Sequence, residues 1–187
     1  MPTPPRVLAT VGYEGATLPA LLDALQTAGV SLLVDVRAVA RSRRPGFAKS
    51  RLAAGLADAG IGYRHLRGLG TPADGRAAAK AGRHEEMRRV FRAHLATPAA
   101  QADLAVLAGL AAVERVCLLC FEADPRHCHR LLVAEALEAR TPVAVTHLHP
   151  ATTVADTMAG LRTLRTPPPV KGRDAEAVED APERRGG

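Results

Sequence analysis

The sequence predicts an α/β fold: a single domain on a mainly parallel sheet of about five strands, with helices on both faces. Three observations carry this expectation. Short apolar, β-rich runs alternate with stretches whose apolar positions recur at helical spacing, the order of right-handed β-α-β crossovers. Runs such as "SLLVDV" are apolar almost throughout, as strands buried on both faces are. The length, 187 residues, is enough to bury an ordinary core without disulfides or metal.

In chain order, "RVLATVG" (residues 6–12) reads as a buried strand. "TLPALLDALQTAG" follows as a helix, with Thr17 as N-cap, Pro19 in the first turn and Gly29 at its end. "SLLVDV" is a second strand, "KSRLAAGLADAG" a helix and "IGYRHL" a third strand. Residues 67–82 are rich in Gly and Ala and read as a connection. "HEEMRRVFRAHLA" and "PAAQADLAVLAGLAAV" are two helices divided at Thr97 and Pro98. "RVCLLCF", "HRLLVAEALEAR" and "PVAVTHL" then give strand, helix and strand. The expected domain spans residues 1–150, with an extension over 151–166. From 167 to 187, Pro, Gly and mixed charge with few large apolar residues predict a disordered tail.

The formal charge is +6. Beyond residue 150, six basic residues balance six acidic ones, so the excess lies in the expected domain. A basic folded domain suits an anionic small molecule or a nucleic acid as partner. The longest wholly apolar stretch, "LAVLAGLAAV", is far short of the roughly 18 residues of a membrane span. No membrane association is expected, the start of the chain does not resemble an export signal, and three clustered cysteines fit a reducing cytoplasm. Oligomeric state has no sequence signal.

Ligands of open parallel sheets bind beyond the carboxyl ends of the strands, so the residues after each strand are the informative ones. Tyr13, in "GYEG", is expected to line such a site. After "LLV" come Asp35, Arg37, Arg41, Arg43, Arg44, Phe47 and Lys49, with no acid among residues 36–51. This loop, broken by Pro45 and Gly46, can place guanidinium groups around phosphate. Asp35 and Arg37 share strand parity, which allows either a structural ion pair or a general base at the sheet edge. His65 follows the third strand.

"CLLCFEADPRHCHR" (117–130) gathers all three cysteines. On a strand, Cys117 and Cys120 stand about 10 Å apart on opposite faces, too far for a disulfide. Cys117 is then a small buried apolar residue. Zinc wants four ligands, and adjacent Cys128 and His129 are an awkward pair to add to Cys120, so no metal and no cofactor are expected. Cys120 and Arg126 spell the C-x5-R of cysteine phosphatases. The intervening carboxylates and Pro125, which has no N–H to donate, make a poor phosphate cradle. What remains is a strand-to-helix turn holding Glu122, Asp124, Cys128, His129 and Arg130. Asp124 or Cys128 is expected to cap the helix, and a thiol near a helix N-terminus and His129 has a lowered pKa, so Cys128 is the expected reactive thiol.

Together "TVGYEG", "VDVR", "SRRPGFAK", "YRHLRGLG" and "LLCFEADPRHCHR" resemble the bacterial and archaeal family called domain of unknown function 488, from about Val7 to about His147. The resemblance implies one α/β domain with signature positions at Asp35, Arg37, Arg44, Pro45, Phe47, Cys120, Glu122, Cys128, His129 and Arg130. It implies no established reaction. The functional expectation is an enzyme or enzyme-like domain that binds a phosphorylated ligand, a nucleotide or nucleic acid, at the sheet's carboxyl edge. Asp35, Glu122, Cys128 and His129 would be catalytic. Arg37, Arg43, Arg44 and Arg130 would hold phosphate, and Tyr13, Phe47, His65 and Cys120 would line the pocket. The alternatives are a noncatalytic nucleic-acid-binding module and a protein-interaction domain.

Overall fold

The structure is a computed structural model and describes residues 6–151; the expected extension beyond Ala151 and the expected tail lie outside the described residues. Five strands form one sheet: β1 (Arg6–Gly12), β2 (Leu32–Asp35), β3 (Gly62–His65), β4 (Val116–Cys120) and β5 (Val143–Leu148). Their order is β3-β2-β4-β1-β5, and every neighbouring pair is parallel. The described helices are α1 (Leu18–Thr27), α2 (Lys49–Asp58), α3 (Ala73–Lys80), α4 (His84–Leu95), α5 (Pro98–Ala111) and α6 (His129–Glu138). The α/β expectation, with helices on both faces, is met.

Alternation along β4 divides the core into two layers. Val116, Leu118 and Cys120 face a layer built with residues of α3, α4, α5 and α6, including Met87, Phe91, Leu107 and Leu132. Cys117 and Leu119 face the opposite layer, with Leu21 and Leu25 of α1 and Leu52 and Leu56 of α2. Each leucine buried in full contributes about 1.5–3 kcal/mol of transfer free energy. Cys117 and Cys120 therefore sit on opposite faces, and all three cysteines are free thiols.

Local chemistry starts the helices where the sequence placed them. Thr17 accepts a hydrogen bond from Ala20 N, Thr97 one from Ala100 N, and Pro19 and Pro98 occupy first-turn positions whose missing N–H costs nothing. Gly29, at φ +64°, takes the left-handed turn that leads from α1 toward β2.

One segment departs from expectation. Residues 67–82, read as a connection, contain a 3-10 turn (Arg67–Leu69) and α3. Glycine in the run masked the helical propensity of "RAAAK"; Gly75 and Ala78 form the buried face, small enough to pack closely against α4.

The chain leaving β2 runs to α2 in one layer, and the chain leaving the adjacent β4 runs to α6 in the other. That divergence opens a crevice at the carboxyl ends of these two strands, where open α/β sheets bind ligands. No helix among the described residues is long and apolar enough to cross a membrane.

Candidate active site at the carboxyl edge of the sheet

A cavity of about 640 Å³ opens at this crevice, within the usual size of small-molecule sites. Three strand ends build its floor. From β1 comes Tyr13, from β2 Arg37, and from β4 Cys120, Phe121 and Glu122. Gly12 lets these strand ends close up: a Cβ there would stand 1.8 Å from the Glu122 carbonyl oxygen. Tyr13 N and Glu14 N then donate to the Cys120 and Phe121 carbonyls, at 3.2 and 2.8 Å, fixing the turn that carries Glu122.

Arg37 is anchored. Its Nε donates to Asp35 Oδ1 at 2.8 Å and its Nη2 to Oδ2 at 2.6 Å, while Nη1 donates to Tyr13 Oη and the Phe47 carbonyl, both at 3.0 Å. Asp35 is fully buried and also accepts from Arg37 N and from Tyr63 Oη. The ion pair closes the end of β2 and stands behind the cavity wall, with Arg37 in the lining and Asp35 outside it.

The thiols meet one imidazole. Cys128 has an extended backbone (φ −124°, ψ 142°) and caps α6, its Sγ accepting from Arg130 N at 3.5 Å. Asp124 caps only the preceding 3-10 turn. Because the backbone turns from extended to helical between Cys128 and His129, both side chains converge on Cys120. His129 Nδ1 lies 3.6 Å from Cys120 Sγ and 4.0 Å from Cys128 Sγ. Its Nε2 faces the Val36 carbonyl at 2.9 Å. A carbonyl only accepts, so Nε2 carries the proton and donates, leaving Nδ1 directed at the sulfurs. Cys120 Sγ also donates to Glu122 Oε2 at 3.4 Å.

This crowding sets the acidities. Burial works against ionisation of Cys128, yet the adjoining Cys120 thiol, His129 and the Arg130 charge hold it well below the ordinary thiol range. Cys120, beside that sulfur and buried, is pushed well above it. Burial and the Cys128 charge raise the Glu122 carboxyl to about 7. Burial opposes protonation of His129, but the Cys128 charge outweighs it and raises the imidazole. The low pKa expected at Cys128 agrees in direction.

The structure brings Tyr13, Arg37, Cys120, Glu122 and His129 into the cavity lining, with Cys128 directly behind Cys120 and His129. Other expected residues stand elsewhere. Phe47 stacks beneath Tyr13 at 4.4 Å between ring centroids, and His65 holds the Arg37 carbonyl from outside the lining. Arg43 is exposed on its loop, and Arg44 donates to the Ala16 carbonyl. Arg130 is buried in full, its guanidinium donating to the Glu122 and Ala123 carbonyls and to Thr10 Oγ1. Its fork is committed to two carbonyls of the turn after β4 and to the Thr10 hydroxyl, giving those carbonyls the partners that no helix or strand supplies. Arg126 pairs with Asp124 at the surface.

Sequence reasoning missed the far wall of the cavity. Arg76 and Lys80 of α3, His84 and Met87 of α4, and Thr71 come from the segment read as a connection and from a helix whose histidines gave no site signal. Their only signal was position: they follow β3, whose carboxyl end meets the same edge. Arg41, Arg76 and Lys80 form no ion pair among the described residues. His84 stacks on His127 at 4.2 Å, and its Nδ1 is buried without a hydrogen-bond partner among the described residues.

A model of the family described as domain of unknown function DUF488 matches residues 17–137 of this chain. No curated protein and no solved structure matches it.

Proposed function

This chain belongs to the DUF488 family, whose description assigns no reaction, and from the cavity itself we propose that the protein is an enzyme acting on a phosphorylated ligand of the nucleotide class. The ligand is held at the carboxyl edge of the sheet and presented to Cys120, Glu122 and His129.

The observation that carries the proposal is the pairing of a basic rim without acidic partners among the described residues, in which Arg76 Nη1 also donates to the Thr71 carbonyl at 2.8 Å, with a titratable floor. Arg41, Arg76 and Lys80 stand around the cavity without acidic partners among the described residues. Such groups hold phosphate by charge-assisted hydrogen bonds. Phe121 is exposed at the rim, edge-on to Tyr13 at 5.4 Å, and with Val39 and Met87 it offers apolar surface to a flat ring. Glu122, at about 7, is matched to proton transfer near neutral pH.

Calorimetric titration of the full chain with nucleoside monophosphates in low salt tests the reading. Arg76→Ala combined with Lys80→Ala is expected to weaken binding at least tenfold, since each charged contact contributes about 1.5–3 kcal/mol. Arg43→Ala combined with Arg44→Ala, outside the cavity, is expected to leave it unchanged. Absence of binding by the unmutated chain, or equal affinity after loss of Arg76 and Lys80, would overturn the proposal.

A further inference from the structure

We propose that Cys120, Cys128 and His129 bind a divalent transition-metal ion of the zinc class, with an open coordination position facing the cavity. The three donor atoms lie within 4.8 Å of one another. A tetrahedral zinc ion, with bonds of about 2.3 Å to sulfur and about 2.0 Å to nitrogen, sets its donors about 3.5 Å (S to N) and about 3.8 Å (S to S) apart. Cys120 Sγ and His129 Nδ1 already stand at 3.6 Å, and Cys128 Sγ and His129 Nδ1 at 4.0 Å. Small side-chain shifts bring all three to one ion.

The surroundings match what a bound ion requires. His129 Nε2–H is held by the Val36 carbonyl, the arrangement that orients ligating imidazoles. Cys120 ends β4 and Cys128 caps α6, so two rigid elements present the sulfurs. Each of the three residues is at most 6% exposed. Two sulfurs and an imidazole select zinc-class ions over magnesium or calcium. Binding requires all three donors deprotonated and releases to solvent the protons they still carry.

Cys120 and His129 line the cavity whereas Cys128 does not, so the ion's remaining side faces the cavity. Three protein donors with one open position are the pattern of catalytic zinc. Glu122 Oε2, 3.4 Å from Cys120 Sγ, stands beside that position.

The experiment is titration of the reduced, chelator-stripped full chain with Co²⁺ alone, followed by Zn²⁺. About one equivalent is expected to bind, with a thiolate-to-cobalt charge-transfer band that Zn²⁺ removes. Cys120→Ser and Cys128→Ser should each weaken binding at least about tenfold, and Cys117→Ala, in the opposite core layer, should retain it. Should the serine variants misfold, alkylation of the unmutated chain decides: Zn²⁺ must slow iodoacetamide modification of Cys120 and Cys128. No charge-transfer band and no protection, or a Cys120–Cys128 disulfide formed in place of metal uptake under reducing conditions, would sink the proposal. No cavity ligand enters these measurements, so their failure leaves the phosphorylated-ligand reading standing, and failure of nucleotide titration leaves the metal site standing.

Discussion

Asp35 shows how one buried carboxylate is committed. Three hydrogen bonds reach it from Arg37 and one from Tyr63, so its lone pairs are occupied by groups that shape the cavity wall. Strand parity alone left an ion pair and a general base equally open, because parity gives direction and not distance. Removing one partner of a buried pair strands the other charge in low dielectric, at about 3–5 kcal/mol. Asp35→Ala is therefore expected to lose about that much stability in urea denaturation. Replacing both partners by apolar residues of similar volume, Asp35→Leu with Arg37→Met, should cost less than the single change. A single-variant loss below about 1 kcal/mol would mean that Arg37 finds compensation elsewhere. At the same scale, the convergence of Cys128 and His129 depends on one backbone break: two adjacent side chains diverge on a strand but converge here because the chain passes from extended to helical between them.

Element ends, more than element interiors, make the site. β1, β2 and β4 finish at nearly the same level, with Gly12 beside Cys120 and Asp35 beside Leu119 in register. The turn after β4 lies directly against Gly12, where a Cβ would meet the Glu122 carbonyl oxygen at 1.8 Å. Backbone cannot yield as a flexible side chain can, and overpacking of this kind costs about 1–3 kcal/mol or more. Gly12→Ala is expected to lower the thermal midpoint and to displace Glu122; an unchanged midpoint in calorimetry would contradict the close packing of the two turns. α3 is the element that composition hid. Its glycine and alanine suggested a loop, yet the same small residues are what let the helix settle on α4 and bring Arg76 and Lys80 to the cavity.

Across the whole molecule, one sheet separates two apolar layers that share its strands. Neither layer keeps its sheet surface covered without the strands, so both should unfold together. Leu56→Ala, in the layer of α1 and α2, and Leu107→Ala, in the opposite layer, are each expected to cost about 2–5 kcal/mol. Each should shift a single urea transition followed by far-UV circular dichroism, and a biphasic curve would show that the layers unfold separately. The sequence by itself determined the order of the strands and of every described helix but α3, the cap at Thr17, the division at Thr97, the opposed faces of Cys117 and Cys120, and the family motifs, because these rest on local periodicity and on contacts a few residues apart. Only the tertiary structure decided which arginines face the cavity, that Arg130 grips backbone carbonyls, that His84 and Lys80 line one cavity with Tyr13, and that two thiols and one imidazole meet at a point. Those facts depend on strand order and on the layer each crossover takes, which bring together residues far apart in sequence and leave no periodic trace along the chain.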